Sequence, residues 1–404
     1  MIRKNVSIWW GPPRQFSAKL EERKISWLEL FMTLVYVIVI SKATHHLAQH
    51  PGWDGLKDYL YIFIMIYWGW VNGSLYYDLH GSPGIRTRFM TLWQMVAVAA
   101  LAVALDSPDD KLIFRGTIAL AVLQGYITYL WWSVGIYDKH HRKLNRPYTL
   151  CYLAALVTII STLFVPAGFV RLLFWLTLIL NYMPPFLGAR IFRKNNDEFS
   201  MSSSMMERMG LITIIVFGEA ILGVISGVTG MEDMNALIWA NFGLGILVVF
   251  MLWWIFFALI ADRESKRGFL TGQTMLILFI PVLASLGMTG ASFPGVIEGL
   301  ASADNAYLLI ERVLFGSGIA VFLWSITAIS AFLEYPKEYD RAKEILQPAL
   351  LLSGVVILFL TWLFRHFPVI DFLISVLVIL FAIVFVITKK WFVVQLRQMK
   401  KNDE

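Results

Sequence analysis

Glu207 and Arg208 open a long apolar run, and a second carboxylate, Glu219, stands twelve positions further along it. The run reads Glu207-Arg208-Met209-Gly210-Leu211-Ile212-Thr213-Ile214-Ile215-Val216-Phe217-Gly218-Glu219-Ala220-Ile221-Leu222-Gly223. Other apolar runs carry Glu29, Thr33 and Lys42, then Asp78, then the adjacent pair Glu311-Arg312. Carboxylates and guanidinium groups in such surroundings have a limited chemistry. They bind and release protons or cations, hold anions, or lock helices together as ion pairs. A charged side chain at the centre of a bilayer costs about 2.5–3.5 kcal/mol on insertion scales, so residues retained there mark sites or obligatory pairs.

The elements that must position these groups are membrane helices. The chain of 404 residues is 58% hydrophobic and 15% charged, with a mean hydropathy of +0.66; soluble domains run at roughly 45–50% apolar and about 25% charged. Twelve apolar runs approach the ~20 residues a spanning helix needs. They cover 27–47, 59–79, 86–105, 113–137, 148–165, 169–190, 205–227, 236–261, 271–290, 306–332, 345–364 and 369–389. The short connection Pro166-Ala167-Gly168 predicts a helical hairpin with a tight outer turn. The expected fold is all-α, a polytopic integral membrane bundle of about twelve transmembrane helices. Residues 1–26 form a basic segment, 27–389 a single transmembrane domain divisible into halves 27–190 and 205–389, and 390–404 a basic amphipathic tail that lies at the lipid surface.

Charge orients the bundle. If the connections are counted alternately, one set holds 26 basic residues and the other five. The positive-inside rule then places both termini in the cytoplasm, and the plasma membrane is the expected location. The polar and basic residues 1–26 do not form a cleavable signal, so the first span also directs insertion. Spans 1 and 7 both start inside and open with an acid, Glu29 and Glu207, a pattern compatible with a parallel six-plus-six repeat.

At about 1.5 Å of rise per residue, position converts to depth. Glu29, Asp78, Glu207 and Arg208 fall near the inner surface as one ionic layer, whose expected role is structural. Glu219 lies about 18 Å further out, level with Glu311, Arg312 and Lys42. That outer layer is the better place for ion or substrate handling, with Glu219 as its first candidate. Glu29, Thr33 and Tyr36 share one face of span 1, and Arg208, Ile215 and Glu219 one face of span 7. Small residues at Gly223-xxx-Gly227, Gly287-xxx-Ala291 and Gly316-xxx-Ala320 allow close helix approach. Asn72, Gln94, Gln124, Asn181 and Asn241 read as interhelical hydrogen-bonding amides, His45-His46 as an interfacial pair and His140-His141 as solvated.

Several classes fall away. The single Cys151 permits no intrachain disulfide and no thiolate metal site. The net charge of +6 is spread over short inter-helix clusters, so nucleic acid is not the expected partner. No phosphate loop, His-Glu-x-x-His or Gly-x-Ser-x-Gly motif occurs, so no enzyme chemistry, catalytic residue, metal or cofactor is expected.

Two stretches resemble a known family. Trp27-Leu28-Glu29-Leu30-Phe31-Met32-Thr33-Leu34-Val35-Tyr36-Val37 is similar to the first span of the bacterial low-temperature-requirement A proteins, Trp-x-Glu-Leu-Phe-Phe-Asp-Leu-Val-Phe-Val. Residues Glu207 to Glu219 resemble their second signature, Glu-Arg-Phe-Gly-x-x-Thr-Ile-x-x-x-Gly-Glu. Glu29, Glu207, Arg208, Gly218 and Glu219 carry over, whereas Thr33 replaces the family aspartate. If that aspartate couples protons or cations, this chain lacks the step or uses Glu29. The resemblance implies a polytopic membrane protein and brings no assigned molecular activity with it. The functional expectation is a secondary transporter or exchanger of an ion or small solute; the alternatives are a passive channel or lipid-handling protein, and a membrane protein that transports nothing. The expected partners are the lipid bilayer and that solute or ion.

Overall fold

A computed structural model describes residues 13–14, 25–81, 84–107, 109–139, 142–191, 201–229, 235–261, 263–298, 305–335, 337–363 and 368–402. The helices are α1 Trp27–Gln49, α2 Trp53–His80, α3 Ile85–Leu105, α4 Asp109–Tyr137, α5 Arg142–Ser161, α6 Ala167–Tyr182 and α7 Pro184–Ile191. They continue with α8 Ser203–Ser226, α9 Ala236–Leu259, α10 Phe269–Glu298, α11 Asn305–Ser330, α12 Lys337–Leu363 and α13 Val369–Asn402. Among the described residues, ten helical segments are long and apolar enough to cross a membrane, one of them, Gly168–Ala189, formed by α6 and α7 together; α2 and α5 are not among them. The expected hairpin forms between α5 and α6. The expected span 169–190 corresponds to the candidate span Gly168–Ala189, which α6 and α7 form together; Pro184 and Pro185 cannot donate backbone hydrogen bonds, and the helix is interrupted at Met183 inside it. The segments 1–12 and 15–24, the pair His140-His141 and the outer-loop acids Glu232, Asp233 and Asp304 lie outside the described residues.

Local signals start and stop these helices. Ser26 and Glu29 form a reciprocal capping box on α1: Glu29 N donates to Ser26 Oγ at 3.3 Å and Ser26 N to Glu29 Oε2 at 3.4 Å. Gly52, at φ +136°, makes the turn into α2. Arg142 folds back onto the end of α4 and donates to the carbonyl of Gly135 at 2.8 Å, as suits a cation at a helix C-terminus.

Exposed apolar residues recur every three or four positions, as in Trp27, Phe31, Leu34 and Ile38 on α1, Leu150, Leu153, Val157 and Ile160 on α5, and Ile374, Val378, Phe381 and Phe385 on α13. Continuous rows of this kind are a liability in water and the ordinary surface of a helix in lipid. On α2, by contrast, no large apolar residue beyond Trp53 is exposed. Protein surrounds this helix, and for that reason it tolerates Asn72, Ser74, Asp78 and several tyrosines.

The chain divides into two compact units. The first comprises residues 1–43, 57–208 and 267–276. Its interior is polar and aromatic. Asn72 Oδ1 accepts from Trp131 Nε1 at 3.1 Å and from the Tyr152 hydroxyl at 2.7 Å. Gln124 and Asn181 exchange two amide hydrogen bonds of 2.9 and 3.0 Å, and Trp68 Nε1 donates to the Asn181 carbonyl. These groups tie α2, α4, α5 and α6 together through satisfied bonds, the role expected of the intramembrane amides.

The second unit comprises residues 44–56, 209–266 and 277–404. Phenylalanines supply the largest side chains of its core, with Phe256, Phe279, Phe293 and Phe315 fully buried. Here α8 crosses α10 at Gly223. A Cβ at that position would fall inside van der Waals contact with the carbonyl oxygen of Gly290, and one at Gly290 would lie 3.0 Å from the Ala220 Cα. Pro294, one turn on, lacks the N–H that would otherwise bond the Gly290 carbonyl. The small residue that α10 presents to Gly223 is thus Gly290. Gly227 packs on Pro294 and Ile297, and Gly316 on Thr361.

Candidate functional site

Arg208 is the sixth residue of α8, and its guanidinium is clamped between carboxylates from two other helices. Nη1 donates to Asp78 Oδ1 at 2.7 Å and Nη2 to Glu29 Oε2 at 2.8 Å. None of the three side chains is more than 6% exposed. Ser202 donates to the other Asp78 oxygen at 2.7 Å and accepts from the backbone N–H of Met205, capping α8. Asp78 stands in the last turn of its own helix, where the dipole is unfavourable, and Ser202 brings it to the favourable N-terminal end of α8. Glu29 serves twice, as the capping-box acid of α1 and as an ion-pair partner. The cluster therefore fixes three helix ends of the first unit at one point.

A ladder of polar groups continues from it along α1 and α2. Thr33, one turn above Glu29, donates to the Glu29 carbonyl at 3.0 Å and accepts from Trp70 Nε1 at 3.1 Å. One turn further, the Tyr36 hydroxyl accepts from Gln94 Nε2 at 2.7 Å, and the same amide reaches the Gly69 carbonyl at 3.2 Å. A side chain at Gly73 would collide with Gln94, so the glycine makes room for the amide over the backbone of α2. Glu29, Thr33 and Tyr36 are all buried, as their shared face requires.

Of the four residues placed in the inner layer, the structure brings together Glu29, Asp78 and Arg208. Glu207 is exposed, because its neighbour Arg208 takes the inward direction and adjacent helical positions diverge by about 100°. Lys42, expected in the outer layer, pairs with Asp106 at 2.6 Å in an exposed bridge. In the second unit Glu219 is half-buried. It borders the row Ile214, Ile221 and Ile225, which is exposed. A Cβ at Gly218, in that same row, would meet nothing within 4 Å. Glu311 and Arg312 are buried. Glu311 packs against Gly295, where an added Cβ would come within 2.7 Å of its Oε1, and the Arg312 guanidinium lies 5.9 Å from the centre of the Phe372 ring.

Ser202 and Trp70 are further members of this arrangement. A serine cluster preceding a helix signals an N-cap and so points toward Ser202. Nothing in the sequence points to the pairing of Trp70 with Thr33, which is a long-range contact. Among the described residues no group of three or more His, Cys, Asp or Glu side chains is arranged to hold a metal ion.

The model of the family described as "Bacterial low temperature requirement A protein (LtrA)" matches residues 24–387. Comparison with curated proteins returned no match.

Proposed function

We propose, for a chain that belongs to the bacterial low temperature requirement A family, a secondary transporter or exchanger of a small ion or solute. The chain is a multi-pass membrane protein of many apolar helices. Twelve spans, both termini in the cytoplasm and residence in the plasma membrane complete the proposal, supported by the 26-to-5 charge asymmetry between alternate connections. It is a transporter rather than an enzyme.

The observation that carries the reading is the buried Glu29–Arg208–Asp78 cluster. Two carboxylates share one buried guanidinium in a unit whose interior is lined with hydroxyl, amide and indole groups. A cation or proton that competes with Arg208 for either carboxylate loosens α8 from α1 or α2, which couples occupancy to opening. The Thr33–Trp70 and Tyr36–Gln94 pairs supply the next polar steps into the unit. Thr33 binds Trp70 and carries no charge, so the acid on this face of α1 is Glu29. Glu219, half-buried beside the open position of Gly218, is the corresponding carboxylate of the second unit.

The test is flux in proteoliposomes loaded with a pH-sensitive dye and challenged with sodium, potassium and pH steps. Wild-type flux that disappears in Glu29→Gln and Asp78→Asn, with thermal unfolding close to wild type, supports the proposal. Flux that survives these changes and Glu219→Gln at wild-type rates overturns it. Loss of flux only in step with loss of folded protein assigns the cluster to structure alone.

A further inference from the structure

The connections that follow α9 and α11 meet at one end of the second unit and cap each other's helices. The last carbonyls of a helix have no partner within it, and here each connection supplies a partner for the other helix. Tyr335, from the connection after α11, donates its hydroxyl to the carbonyl of Leu259, the last residue of α9, at 2.7 Å. Lys266, from the connection after α9, donates Nζ to the carbonyl of Ala331, one position past α11, at 2.8 Å. A cation suits the negative end of that helix. Between the two caps runs an isolated antiparallel bridge, Ser265 to Leu333, with Lys266 N donating to the Phe332 carbonyl and Glu334 N to the Glu264 carbonyl, both at 2.9 Å. The Leu333 side chain is buried, and the Arg263 guanidinium lies 5.5 Å from the centre of the Tyr335 ring. Helix α12 joins through Gln347, whose Nε2 donates to Ser330 Oγ in the last turn of α11 at 2.9 Å.

We infer that this reciprocal clasp is a permanent fastening. It holds the ends of α9 and α11 and the first half of α12 as one block, and the second unit does not open there. Two loops that merely touch can each move alone. Here neither connection leaves without stranding a terminal carbonyl of the other's helix, so the two caps and the two backbone bonds break as one cooperative step. The clasp holds whether or not the protein transports anything. Its consequence for a transport cycle, that the moving part lies elsewhere, rests on the function proposed above.

Hydrogen exchange of the full-length protein in nanodiscs tests the clasp itself. The Lys266 and Glu334 amides should exchange roughly 500-fold more slowly than in an unstructured peptide, as four bonds worth about fivefold each and breaking together imply. Lys266→Met removes one cap at an exposed position. It should speed exchange of the Glu334 amide, whose own bond is to Glu264, about fivefold. Exchange at these amides as fast as in an unstructured peptide, or a Glu334 amide indifferent to Lys266→Met, overturns the inference.

A disulfide tests the consequence. The two backbone bonds flank Ser265 and Leu333 and make them a non-hydrogen-bonded antiparallel pair. The Cα atoms of such a pair stand about 4.5 Å apart, within the range a disulfide bridges. Ser265→Cys with Leu333→Cys, in a Cys151→Ala background, should oxidise readily and carry equal flux in proteoliposomes when oxidised and when reduced. Flux that stops on oxidation and returns on reduction overturns the inference, because the clasp then opens in every cycle. If the wild-type protein carries no flux, the function proposed above fails and the exchange measurement decides the clasp alone.

Discussion

Replacing Arg208 by glutamine is the sharpest perturbation of the ionic cluster. The hydrogen bonds to Asp78 and Glu29, 2.7 and 2.8 Å long, leave nitrogens of one planar guanidinium. Those nitrogens are about 2.3 Å apart, so the two carboxylate oxygens lie within about 8 Å of each other. At an effective dielectric of about 20, two unit charges at about 8 Å repel by about 2 kcal/mol. Breaking a buried pair by removing one partner costs about 3–5 kcal/mol in all, because a desolvated charge remains. Arg208→Gln should therefore lower the thermal midpoint in nanodiscs strongly. Adding Glu29→Gln and Asp78→Asn removes both orphaned charges and should recover most of that loss. The triple variant is the informative one: it should unfold near the wild-type midpoint and show no flux in the dye-loaded proteoliposomes. A single Arg208→Gln variant as stable as wild type, or a triple variant no more stable than the single one, would refute the energetic argument.

Other consequences are testable by the same means. Gly223→Leu should destabilise by at least about 1–3 kcal/mol through overpacking against the Gly290 carbonyl, whereas Gly218→Ala, with open space around it, should leave the unfolding midpoint unchanged. Asn72→Leu strands the Trp131 indole N–H and the Tyr152 hydroxyl and should cost about 1–3 kcal/mol for each donor left buried without a partner; adding Tyr152→Phe should recover part of this. Burial pushes the Tyr335 phenol up to about 12, against the opposing pull of Arg263. The neutral phenol is thus favoured by folding, so its contribution is intact below the ordinary tyrosine value of about 10 and falls as pH rises toward 12. Tyr335→Phe should flatten that part of the stability–pH curve in alkaline titrations.

The architecture was legible where depth and periodicity carried it. Lipid-facing rows at three- and four-residue spacing, the α5–α6 hairpin and the buried face Glu29–Thr33–Tyr36 all follow from side-chain direction on a helix. The interruption before Pro184-Pro185 falls inside the apolar run 169–190, which persists as the candidate span Gly168–Ala189. Within the ionic cluster, depth brought Glu29, Asp78 and Arg208 to one level. It could not separate Arg208 from Glu207, because depth carries no azimuth and adjacent residues differ mainly in azimuth. Lys42 shows the same limitation: its partner Asp106, the residue that caps the end of α3, was not singled out by depth alone. Gly290 was overshadowed by Gly287 because small residues are common on α10, and only the crossing with α8 distinguishes them.

The enclosure of α2 has a consequence for how the protein is made. A helix with Asn72, Ser74 and Asp78 on it is a poor tenant of lipid, and its partners are synthesised later. Trp131 and Tyr152, which satisfy Asn72, emerge some sixty and eighty residues afterwards, and Arg208, which neutralises Asp78, emerges 130 residues afterwards. Until then, α2 depends on the insertion machinery, on α1 and on transient water for its hydrogen bonds. The first unit thus cannot mature helix by helix in order of synthesis. Its central helix is held in waiting until α4, α5 and the start of α8 have entered the membrane, and a chain interrupted before Arg208 presents quality-control proteases with an unneutralised acid at a helix end.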